Sequence, residues 1–93
     1  MAVKVVLMGA LQSSAGDRRS FEVDASTVGG ALDALKQHVP LVEDGIRDET
    51  GKVREFINIF VRGSEIRGLK ELDTSLVDGE TVYVMPSVAG GFR

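Results

Sequence analysis

Phe56-Ile57-Asn58-Ile59-Phe60-Val61-Arg62-Gly63 is the stretch that decides the fold. Ile57, Ile59 and Val61 alternate with Phe56, Asn58 and Phe60, so the two sets fall on opposite faces of an extended chain. β-branched and aromatic residues fill it, which suits a pleated strand. The Ile/Ile/Val face is wholly apolar and requires a covering layer. Arg62-Gly63-Ser64 then reads as a turn.

Toward the C-terminus, Ile66, Leu69 and Leu72 thread a connecting segment with little regular pattern. Leu76 and Val77 precede a turn at Asp78-Gly79. Thr81 to Met85 forms the final strand, closed by Pro86. The tail Ser87-Val88-Ala89-Gly90-Gly91-Phe92-Arg93 has no periodicity and is expected to be mobile.

Toward the N-terminus lies the covering layer. Val28, Ala31, Leu32, Leu35 and Val39 recur at helical spacing and share one face. Ser26 or Thr27 supplies the N-cap, and Pro40 stops the helix. Residues 41–46 read as a short irregular or helical turn, and residues 48–52 as a polar loop with Gly51. Before the helix, Val3, Val5 and Leu7 alternate with Lys4, Val6 and Met8 in a first strand. Residues 11–19 read as a loop, and Ser20 to Val23 as a second short strand paired with the first as a hairpin. A hairpin, one main helix and further strands define an α+β domain with a sheet of four to five strands.

The chain of 93 residues is one domain, placed at residues 1–86 with a tail at 87–93. Hydrophobic residues at 43% suffice for one modest core, not for a core plus a deep catalytic cavity. The net charge of -3 and scattered Lys and Arg argue against nucleic-acid and membrane-surface roles, both of which need a basic face. No apolar run approaches a bilayer span. Met-Ala-Val-Lys lacks the apolar core of a secretory signal, so a cytoplasmic location is the default expectation.

Cysteine is absent, which removes disulfides, thiolate metal sites, a cysteine nucleophile and any side-chain persulfide. His38 is the one histidine, leaving almost no material for histidine metal sites or triads. No bound cofactor or metal is expected.

Five candidate features remain. Gly90-Gly91 makes a thin, permissive end that an enzyme could draw through a narrow channel, where a bulkier tail would clash. Residues 87–91 span roughly 17 Å when extended. Gly29-Gly30 at the helix start lacks the further glycines and lysine of a phosphate loop, so close helix-to-sheet packing is the expectation. Glu43, Asp44, Asp48 and Glu49 lack calcium-loop spacing and read as a solvated acidic surface. His38 sits where it can interact with the helix dipole. Finally, Met8, Phe60 and Met85 share the parity opposite to the helix-facing residues. Together they form either a patch for a partner or a surface that a loop covers.

The sequence resembles the ThiS/MoaD-like sulfur carriers of bacteria and archaea along nearly its whole length. Four segments carry the resemblance: Thr27-Val28-Gly29-Gly30-Ala31-Leu32-Asp33-Ala34-Leu35; Phe56 to Gly63 as quoted; Leu76-Val77-Asp78-Gly79-Glu80-Thr81-Val82; and Pro86-Ser87-Val88-Ala89-Gly90-Gly91. The helix opening is a common pattern; the four in this order, ending in Pro-x-Val-x-Gly-Gly, are specific. The resemblance implies the ubiquitin-like β-grasp fold. It also implies that an E1-like activating enzyme uses ATP to adenylate the carboxylate of Gly91. A sulfur donor then makes a thiocarboxylate, which delivers sulfide to an acceptor. The protein is then a co-substrate rather than an enzyme.

Phe92 and Arg93 depart from the commonest pattern, in which the chain ends at the second glycine. Relatives with such extensions have them removed by a JAMM-type zinc protease, so the resemblance implies a proform. It points to cysteine or another sulfur metabolite as the destination, through a PLP-dependent synthase. The alternatives are the small subunit of molybdopterin synthase with its large catalytic partner, a thiamine-pathway carrier, and a β-grasp interaction module whose Gly-Gly end is incidental.

Overall fold

The computed structural model describes residues 1–87. Gly90, Gly91, Phe92 and Arg93, and the mobility expected of residues 88–93, lie outside the described residues. Five strands form one mixed sheet: β1 (Ala2–Leu7), β2 (Ser20–Asp24), β3 (Ile57–Val61), β4 (Ser64–Glu65) and β5 (Thr81–Pro86). Their spatial order is β2-β1-β5-β3-β4. β1 and β2 form the antiparallel hairpin, β1 and β5 run parallel at the centre, and β3 is antiparallel to β5.

The main helix, α2 (Val28–His38), forms where the apolar spacing places it. Thr27 is its N-cap, and its hydroxyl accepts from the Gly30 amide at 3.0 Å. Val28, Ala31, Leu32 and Leu35 are buried against Val3, Val5, Leu7, Phe21, Ile57, Ile59, Val82 and Val84 in one core. Each fully buried Leu, Ile or Phe contributes roughly 1.5–3 kcal/mol relative to exposure. Surface ion pairs such as Met1 amine–Asp24 are exposed and screened by solvent, so the core dominates.

The connections are more ordered than their composition suggests. Overlapping the expected loop at residues 11–19, a short helix α1 (Ala10–Ser14) buries Leu11. Pro40 ends α2 but also opens α3 (Pro40–Ile46), a place where its missing N–H costs nothing. Arg62-Gly63 turns with φ of 54° and 81°, and Ser64–Glu65 pairs back on β3. The segment around Ile66 and Leu72 forms two 3₁₀ turns, Ile66–Gly68 and Glu71–Asp73.

Candidate functional site

Among the described residues the helices pack on one face of the sheet, the face of Val3, Val5, Ile59 and Val84. The other face is open, and the register defines what lies on it. Ser20, Val6, Tyr83, Phe60 and Glu65 are successive partners across all five strands, forming one row. Met85 partners Asn58 in the next row. The Met8 amide donates to the Val84 carbonyl at 3.0 Å, continuing the β1–β5 ladder and setting Met8 beside Met85.

Met8, Phe60 and Met85 are therefore brought together, each partly buried and outside the core cluster. The centre of the patch is a pair that the parity reading passed over. Tyr83 is 43% exposed, and Val6 is buried beneath its neighbours. Both follow the same alternation and could have been found from it. Lys4, Arg19, Ser20 and Thr81 line a shallow groove at the β2 side of this patch.

The opposite border of the sheet is closed to strand pairing. Glu65 turns its carboxylate onto the Ile59 amide at 3.2 Å. Arg67 clamps that carboxylate at 3.0 Å, along with the Asn58 side chain and the Arg54 carbonyl. Side chains thus occupy the part of β3 that the two-residue β4 leaves bare, which blocks edge-to-edge association.

β5 carries the chain toward the tail. Beyond Pro86, the Ser87 amide donates to the Phe56 carbonyl at 2.5 Å. Ser87, the last described residue, thus marks the chain's exit from the sheet beside β3, at the end that carries Met8 and Met85. Phe56, at that exit, is 55% exposed.

Two of the remaining candidates are corrected. Gly29 packs closely, but not against the sheet: a Cβ there would meet the Leu72 carbonyl oxygen at 3.2 Å, in the segment after β4. Glu43 is not a solvated carboxylate; it is 3% exposed and bonded to the Arg47 guanidinium. Arg47 also reaches Asp33 at 2.8 Å, tying α3 to α2. The i,i+4 spacing of Glu43 and Arg47 was the available signal. Asp48 accepts from Thr50 and Lys52 within its loop, and the Thr50 hydroxyl leads in holding its carboxyl below the usual range. His38 is exposed, its ring centroid 6.0 Å from that of Phe21. Among the described residues no group of His, Asp and Glu could hold a metal ion. No helix among the described residues is long and apolar enough to cross a membrane.

Comparison with known proteins gives this geometry a context. The model of the ThiS family matches residues 5–91. The sulfur carrier protein CysO of Mycobacterium tuberculosis is 29% identical over 93 residues, covering 98% of this chain and all of that protein. The crystal structure of SAMP1 from Haloferax volcanii superposes with a TM-score of 0.84 at 29% identity, covering 98% of this chain and 100% of that one. A structure of the Amycolatopsis orientalis BexX/CysO complex matches with a TM-score of 0.80 at 30% identity, over 97% of this chain and 100% of that chain.

Proposed function

The chain belongs to the ThiS family, and from that premise we propose that it is a sulfur carrier whose reactive group is the carboxylate of Gly91. The observation that carries this reading is where the family match stops. It runs through residue 91 and leaves Phe92 and Arg93 outside. With no cysteine in the chain, sulfur can be held only at the backbone terminus.

The chemistry follows from the poor electrophilicity of a carboxylate. A peptidase first hydrolyses the Gly91–Phe92 bond; a JAMM-type zinc protease has the required specificity class. The freed carboxylate attacks the α-phosphate of ATP on an E1-like activating enzyme, forming an acyl adenylate and releasing pyrophosphate. A sulfur nucleophile then displaces AMP to leave the thiocarboxylate. That sulfur adds to an electrophilic carbon of its acceptor while the folded body stays docked. Hydrolysis of the Gly91 acyl–sulfur bond then leaves the sulfur on the acceptor and regenerates the Gly91 carboxylate. Gly90 and Gly91 carry no side chain, which suits passage through a channel. The acceptor class is a sulfur-free precursor of cysteine or another sulfur metabolite, on a synthase that recognises the body.

Met8, Phe60 and Met85, with Val6 and Tyr83, form the docking patch in this reading. The patch lies on the face next to the tail exit, so a partner seated on it receives the tail directly. The test of the proform step is intact mass of protein purified from its native host during sulfur-demanding growth. The expected result is a population lacking Phe92 and Arg93. A population that ends wholly at Arg93 contradicts it.

A further inference from the structure

We propose that Met8 and Met85 are a paired oxidation site through which peroxide uncouples this protein from its partners. The proposal rests on the docking role of the open sheet face. Three observations carry it. The two thioethers are neighbours, since Met8 extends the β1–β5 ladder through its bond to Val84 and the next side chain on β5 is Met85. Both are partly exposed rather than sealed in the core. And the chain has no cysteine, so the three methionines are its only oxidisable side-chain sulfurs. The third, Met1, is 58% exposed but lies at the opposite end of β1, paired through its amine with Asp24.

The step is a two-electron oxygen transfer. The thioether sulfur attacks hydrogen peroxide, the O–O bond breaks, an S–O bond forms and water leaves. Sulfur is oxidised and the peroxide reduced. The flexible apolar side chain becomes a polar sulfoxide, and methionine sulfoxide reductases reverse the change. Two sulfoxides beside Phe60 and Tyr83 place strong acceptors where a partner must bury apolar surface, and leaving them unpaired is unfavourable. The core is untouched, because neither methionine belongs to it.

The experiment treats the full chain with hydrogen peroxide, removes the oxidant, and maps oxygen addition by peptide mass spectrometry. Affinity for the activating enzyme of the native host is measured before and after. The expected result is oxidation at Met8 and Met85, an unchanged far-UV circular dichroism spectrum, and a loss of affinity of roughly tenfold that a sulfoxide reductase restores. In a Met8→Leu, Met85→Leu double variant, peroxide should no longer change whatever affinity that variant has, although Met1 still oxidises. An unchanged affinity after oxidation of both residues overturns the proposal, as does unfolding on oxidation or an equal peroxide effect in the double variant. Phe60→Lys separates the two levels. If that variant binds normally, the docking role itself is wrong; if it binds weakly while oxidation changes nothing, only the oxidation site falls.

Discussion

Phe60 on β3 and Tyr83 on β5 stand directly opposite each other on the sheet face that no helix among the described residues covers, and Val6 continues their row onto β1. A cross-strand aromatic pair on an open face offers a partner a rigid apolar anchor. Phe60→Lys should weaken binding to the activating enzyme by roughly tenfold or more. Lysine is the better probe than aspartate, because position 60 also faces Glu65 and a second carboxylate would repel it. Stability should fall by less than about 2 kcal/mol, since Phe60 is outside the core cluster. Isothermal titration and urea unfolding check the two halves; a variant that unfolds outright would place Phe60 in the core.

Gly29 and Gly45 should respond oppositely to alanine. Gly45 lies in α3 with open space where a Cβ would go, so Gly45→Ala should stabilise by roughly 0.5–1 kcal/mol through helix propensity. At Gly29 the new methyl would press on the Leu72 carbonyl oxygen. That segment is held by the Val28 amide bonding to the Thr74 carbonyl at 3.0 Å. Gly29→Ala should therefore destabilise despite the same propensity gain. Paired urea melts decide; stabilisation by both changes would mean that the 3₁₀ turns yield easily.

Glu80 predicts a specific acid sensitivity. Burial pushes its carboxyl up, but the Val77 amide and the Arg62 guanidinium outweigh that and hold it below the ordinary glutamate value. A folded-state pKa below the unfolded one adds stability above the unfolded value, and that stability is lost as pH falls through the folded one. Glu80→Gln should thus destabilise at neutral pH, and its curve should converge on the parent's as pH drops below about 4. Unfolding free energies across that range check it; a constant difference at all pH values would contradict the assignment.

The fold was legible where periodicity was strong and less so where tertiary contact decided. β3 and α2 show clean two-fold and helical repeats and both occur, with β3 starting at Ile57 because Phe56 lies in the preceding turn, and α2 ending at His38 with Val39 as its cap. α1 was missed because Leu11 is its one buried residue, set between Ala10 and Gln12 in a stretch with no apolar repeat. α3 was underread because Pro40 signals a stop and a start with equal force. The burial of Glu43 depends on where Arg47 folds, and the close approach to Gly29 on where Leu72 does; neither follows from local pattern. The patch was legible by parity, and Tyr83 and Val6 were lost only because a tyrosine and a valine in strands attract no notice.

In the proposed reading the carboxylate of Gly91, and no other group, receives the sulfur. Chain truncated after Gly91, incubated with the activating enzyme, ATP and a sulfide source, should gain the mass difference between sulfur and oxygen. Full-length chain should not, because its terminal carboxylate belongs to Arg93. Gly90→Val in the truncated form should also fail while still folding, since a β-branched side chain thickens and stiffens the tail where it must be thin. Thiocarboxylation of the full-length chain as readily as the truncated one would contradict the assignment of Gly91 as the reactive terminus.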